Sequence, residues 1–186
     1  MVSSTLDYTI PSSWKEVTLR QYIELMNLPE ELSPSERFSE ILVILTGMSP
    51  SRVQKLSLLE TLELQRGLEW CLTPPKGSFR KSFEHKGKTF AFHPKLENLT
   101  TGEFLDLDSY SQNWRKDFHK IFGVLYRPLT YEEGSHYEIE EYSAPRSRAR
   151  SEEFLDILNA EDAQGVSVFF SLIVSGLLAI SPALVQ

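Results

Sequence analysis

The chain has 186 residues, 41% hydrophobic and 24% charged, with a formal net charge of −7. This is enough chain for one domain with a real core, and too apolar for intrinsic disorder. The acidic balance works against nucleic acid and acidic lipid surfaces as partners, and the single cysteine, Cys71, excludes an intramolecular disulfide and fits a reducing compartment.

The first eight residues have neither the basic nor the apolar region of a secretory signal. Residues 6–10 (LDYTI) alternate as a short strand does, and Pro11 breaks the pattern. Thr18 then serves as N-cap for a helix reading LRQYIELM, closed by Pro29. Ser33-Pro34 opens a second helix that stops at Gly47, and Ser49-Pro50 opens a short third. Ser57 and Glu60 make a capping box for a fourth, which places Leu58, Leu62, Leu64 or Gln65, Leu68 and Cys71 near one side. On that stripe Cys71 reads as a buried, inert thiol.

The period changes at 79–93. Phe79, Phe83, Phe90 and Phe92, spaced mostly by even numbers around Lys86-Gly87-Lys88, predict a β-hairpin, with residues 6–10 as the candidate third strand. A short helix is expected from Thr101. A strongly amphipathic one follows, carrying Trp114, Phe118, Ile121, Phe122 and Leu125 and ended by Pro128. Residues 129–151 are polar and read as a long loop or arm. A short helix starts at Ser151, and an apolar helix spans 160–181. The expectation is therefore a single mainly helical α+β domain over 1–186, with about seven to eight helices and a small β element.

Little in the sequence points to catalysis. No histidine among His85, His93, His119 and His136 lies three or four residues from another histidine or from Cys71. There is no glycine-rich phosphate loop and no nucleophile elbow. Glu103 and Asp106 would share a helix face as a catalytic pair does, but acids near a helix N-terminus are favoured by the helix dipole, and that structural reading is the expectation. No enzyme activity, metal or cofactor is expected.

Two segments are candidates for partner binding. Arg146, Arg148 and Arg150, if extended, would point one way and grip a phosphate or an acidic protein surface, although Glu138, Glu140, Glu141, Glu152 and Glu153 would neutralise much of that charge. From Gly165 onward the chain carries no charge. Phe169, Phe170, Ile173 and Leu177 on this segment could fill a core, dock into a partner or neighbouring subunit, or face a membrane. The absence of flanking Lys or Arg argues against the membrane.

In this order, PSSWKEVTLRQYIEL at 11–25, TGEFLDLDSY at 101–110 followed by Trp114, HKIFGVLYRPLT at 119–130, YEIEEY at 137–142 and GVSVFFSLI at 165–173 cover most of the chain. In these stretches the sequence resembles the small proteins encoded among the structural genes of tailed bacteriophages. The resemblance implies a non-catalytic tail assembly chaperone that holds the tape measure protein in the host cytoplasm. The alternative within the same class is a minor virion component, such as a ring subunit of the head–tail connector or tail, whose partners would be other phage structural proteins or further copies of itself. A host-directed binding module or regulator is the reading from a different class. Nucleic acid and membrane are not expected partners.

Overall fold

The computed structural model describes residues 8–167. Its helices are α1 (Leu19–Met26), α2 (Pro34–Thr46), α3 (Pro50–Val53), α4 (Leu58–Gly67), α5 (Thr101–Ser111), α6 (Trp114–Leu125) and α7 (Ala144–Ile157), with further helix over residues 160–167. Strands β1 (Ser82–His85), β2 (Lys88–Phe92), β3 (Tyr126–Glu133) and β4 (His136–Ile139) form one antiparallel sheet in the order β1-β2-β3-β4. The mainly helical α+β class expected from the sequence is the class observed. No helix among the described residues is long and apolar enough to cross a membrane.

Local chemistry explains most boundaries. Reciprocal capping boxes start α1 (Thr18, Gln21), α2 (Ser33, Glu36), α4 (Ser57, Glu60) and α5 (Thr100, Glu103). Gly47, at φ 70°, ends α2 in the left-handed conformation. The β1–β2 turn places Lys86 and Gly87 at φ 49° and 72°, the geometry of a two-residue hairpin turn that matches strand twist.

Two apolar clusters meet at one seam. The first gathers Leu19, Phe83, Phe90, Phe118, Ile121, Phe122, Tyr126 and Phe154 between α6, α7 and the sheet. The second gathers Val17, Leu42, Leu45, Leu64, Leu68 and Ala160 in the helical N-terminal half. A short antiparallel bridge joins them: the Leu19 amide donates to Leu158 O at 2.7 Å and the Ala160 amide to Val17 O at 3.0 Å.

Several expectations are corrected. Residues 8–10 form no strand, and residues 6–7 lie outside the described residues; the second neighbour of β2 is β3, which α6 delivers directly alongside it. The amphipathic helix ends at Leu125, and Pro128 sits inside β3 opposite Phe90. The stretch 129–151 is not a loop. It completes β3, forms β4 and supplies the first half of α7, because its polar residues alternate along an exposed hairpin and then begin a helix with Pro145 in the first turn. Of the helix expected over 160–181, residues 160–167 are helical and 168–181 lie outside the described residues. On α4, Leu64 and Leu68 are buried while Leu58, Leu59 and Leu62 are exposed. At about 100° per residue, Leu58 and Leu62 lie roughly 120° round the helix from Leu64 and Leu68, so the expected stripe divides into an exposed side and a buried one. Cys71, expected to be buried, is half-buried, and that partial burial pushes its thiol pKa up, away from a reactive thiolate.

Helices α6 and α7 are in close contact at Gly123. A Cβ there would stand 2.6 Å from the Ser147 carbonyl oxygen and 2.9 Å from Ser151 Cβ. Gly123→Ala should therefore force the helices apart and cost about 2 kcal/mol, read as a lower urea midpoint with an unchanged slope.

Candidate functional site

An open cleft of about 700 Å³ lies between the residues that follow β2 and the β3–β4 hairpin. One wall is His93, Pro94 and Lys95, continuing to Thr100 and Glu103 at the start of α5; the other runs through residues 135–142. At its base three ionisable groups meet with little solvent access: His93, Glu103 and Arg127, the arginine being 4% exposed.

The local sequence explains how they converge. The capping box of α5 is closed by Glu103 at its third position, where Oε2 accepts from the Thr100 amide at 2.7 Å and from Thr100 Oγ1 at 2.6 Å. Its other oxygen, Oε1, accepts from Arg127 Nη2 and faces His93 Nε2 at 3.5 Å. Arg127 comes from β3, where it pairs with Ala91 of β2. Its guanidinium also lies over the Tyr142 ring, 5.9 Å from the centroid. Tyr142 in turn donates to Asp106, and Tyr137 donates to Phe92 O at 2.8 Å.

Burial is the main cause holding the His93 pKa below the ordinary imidazole value. The Arg127 charge acts in the same direction, against the opposing pull of Glu103. Burial lowers Arg127 as well, against the pull of Glu103, yet a guanidinium stays charged. Burial, and then the hydrogen bond to Asp106, push the Tyr142 hydroxyl up.

The ionisable groups at the base of the cleft are engaged with one another. His93 Nδ1 accepts from the Lys95 amide at 3.3 Å, which places its proton on Nε2 toward Glu103. Neither ring nitrogen is left to take a proton from a substrate. The two Glu103 oxygens are likewise committed, to the helix cap and to Arg127. Among the described residues no group of histidine, cysteine and acids is arranged to hold a metal ion.

The arginines singled out from sequence are divided by the helix they form. Arg146 and Arg148 are exposed, and Arg150 is buried. Arg150 Nε donates to Gly123 O and Nη1 to Glu140 Oε2, both at 3.2 Å. Arg146 Nε lies 3.6 Å from the same Glu140 oxygen. A row at period two thus becomes one turn of helix, with Arg146 and Arg150 on one side and Arg148 off it. Phe169, Phe170, Ile173 and Leu177 lie outside the described residues. Sequence reasoning did not single out Arg127, His93, Tyr137 or Tyr142. The readable signal was the Thr100–Glu103 capping pattern, which announces an acid fixed at a helix start but not its buried arginine.

Comparison with protein-family models, with curated proteins and with solved structures gives no match in any of the three.

Two outcomes test this description. Arg127→Met should cost about 3 kcal/mol, because it leaves Glu103 buried without its charge partner, and urea unfolding measures it. The unfolded imidazole titrates near about 6.5, and the folded His93 and His119 below that, both chiefly through burial. As pH falls through the unfolded value the unfolded chain binds the additional protons, so this contribution to stability is present above it and declines as pH falls below it. His93→Gln should make the fall of the urea midpoint with pH shallower, and the His119 share should remain.

Proposed function

We propose that this chain works by contact with other proteins, as a tail assembly chaperone of a tailed bacteriophage that holds the tape measure protein until tail tube surrounds it. The phage context rests on the resemblance of residues 11–25, 101–110, Trp114, 119–130, 137–142 and 165–173 to that class of proteins. The observation that supports contact as the mode of action is the outer face of α4. Leu58 and Leu59 are 76% and 68% exposed, and Leu62, one turn on from Leu58, is also exposed. Single exposed leucines are ordinary, but three on adjacent positions of one short helix form an apolar strip of the kind that receives another helix. The tape measure protein is a long helical chain, so an apolar helix from it is the occupant this strip fits. The cleft chemistry agrees, since its ionisable groups are committed to one another.

Co-expression with a fragment of the tape measure protein tests the reading. The expected result is a soluble complex on size exclusion, lost in Leu58→Ser/Leu59→Ser/Leu62→Ser while the variant's own circular dichroism and urea midpoint stay unchanged. A triple variant that still holds the fragment would overturn the role of α4. Recovery of the protein from purified virions as a stoichiometric component would replace the chaperone with the connector or tail subunit.

A further inference from the structure

The sheet has two outer strands, β1 and β4, and among the described residues no further strand pairs with either. In β1 the Lys81 carbonyl accepts from the Phe92 amide at 2.9 Å. Backbone groups alternate in an antiparallel pair, so Phe83 and His85 also turn theirs to β2, opposite Phe90 and Lys88. Ser82 and Glu84 turn theirs away from the sheet. In β4 the Glu140 amide donates to Pro128 O at 2.8 Å. Glu138 and His136 follow it toward β3, and Tyr137 and Ile139 face outward. The irregularity at Leu129–Tyr131 lies on β3, so the alternation along β4 is unbroken. No backbone bond from elsewhere in the described chain reaches Ser82, Glu84, Tyr137 or Ile139.

The two edges differ in sign. Residues 80–88 carry Arg80, Lys81, Lys86 and Lys88 against Glu84 alone. Residues 131–141 carry Glu132, Glu133, Glu138, Glu140 and Glu141 and no lysine or arginine. Part of this charge is engaged within the chain: Arg80 with Asp162 at 3.1 Å, Lys86 with Glu153 at 2.9 Å and Glu140 with Arg150 at 3.2 Å. Lys88, Glu133 and Glu141 are exposed. Charge on an open edge keeps like edges apart. It opposes β1 against β1 and β4 against β4, and favours β1 against β4.

We propose that copies of this chain associate head to tail, β1 of one adding antiparallel to the outer edge of β4 in the next. Ser82 set opposite Ile139, and Glu84 opposite Tyr137, joins the outward backbone groups of both strands. Their side chains share a face: Ser82 pairs with Ala91, Ala91 with Arg127, and Leu129, two residues on, with Ile139. The same register sets Arg80 against Glu141, Lys81 against Glu140 and Lys88 against Glu133. It also brings the turns at Gly87 and Gly134 level. A shift of two residues either way makes fewer opposite-charge pairs. Such an interface is heterologous, so each added copy presents a fresh edge, and growth continues to a ring or a filament. The inference uses only the strand edges and stands apart from the phage reading and from α4.

Disulfide trapping and sedimentation of the full chain test it. In a Cys71→Ser background, Ser82→Cys and Ile139→Cys variants are mixed with oxidised glutathione. Directly opposed residues of a hydrogen-bonded antiparallel pair stand about 5.5 Å apart, which suits a disulfide. The 82–139 disulfide between copies should be the main product. Sedimentation velocity of the parent should show species larger than a dimer as concentration rises. Ser82→Pro removes only an outward amide and should weaken association about tenfold while circular dichroism stays unchanged. Glu84→Lys, which removes the one acid of the basic edge, should strengthen it. A monomer up to about 1 mM, a dimer that grows no further, or 82–82 and 139–139 disulfides as main products would each overturn the proposal. So would association that a folded Ser82→Pro variant retains in full, or that Leu58→Ser/Leu59→Ser/Leu62→Ser abolishes, which would place the contact on α4. Should Ser82→Pro fail to fold, the trapped disulfide decides.

Discussion

At Gly123 the backbone of α6 lies so close to α7 that no side chain fits between them, and much of the fold follows from that distance. Small residues on the facing turn of α7, Ser147 and Ser151, make the approach possible. The approach brings Arg150 within reach of Gly123 O. It also carries Phe154, the next buried residue on that side of α7, onto Phe83 and Phe90 of the sheet. Because α6 passes into β3 without a loop, fixing α6 against α7 also fixes where the sheet begins. The aromatic cluster then closes over the same contact, with Phe122 stacked on Tyr126 at 5.7 Å.

Two buried arginines occupy the space behind that contact. Each has one carboxylate and leaves one nitrogen without a partner: Arg127 with Glu103, and Arg150 with Glu140. Buried ion pairs contribute little net stability, since desolvation offsets most of the attraction. Their effect is to define which segments meet. Arg127 ties β3 to the start of α5, and Arg150 ties α7 to the chain just after β4. Both acids belong to features with other duties, a helix cap and a cleft wall, so the polar groups hold the cleft open in one shape.

The sequence was most legible where local chemistry decides. Thr18, Ser33, Ser49 and Ser57 announced their helices, Gly47 ended one, and Lys86-Gly87 marked the hairpin turn. It misled where tertiary context overrides local signals. Pro128 was read as the end of the amphipathic helix, yet the helix stops at Leu125 and Pro128 lies within β3. The polar run from 129 to 151 lacks an apolar stripe because β3 and β4 project into solvent and α7 buries serines and an arginine in place of leucines. The same substitution hid the site. Arg127 and Arg150 carry the charge of surface residues and occupy positions that pattern reading reserves for apolar ones. Leu58 and Leu62 fail in the opposite sense, being apolar residues that the fold leaves outside.

The bridge between Val17–Leu19 and Leu158–Ala160 closes a loop of roughly 140 residues. A polypeptide emerging from the ribosome makes the first side of that bridge early and the second side much later. Throughout that interval Val17 and Leu19, both wholly buried in the finished fold, have no partner strand. Helices α1 to α4 can form by local contacts during synthesis, but their shared cluster is sealed by Ala160 only once the chain has grown past that residue. The helical half is thus an early unit with a late lid, and in the cell its exposure to aggregation is set by elongation time.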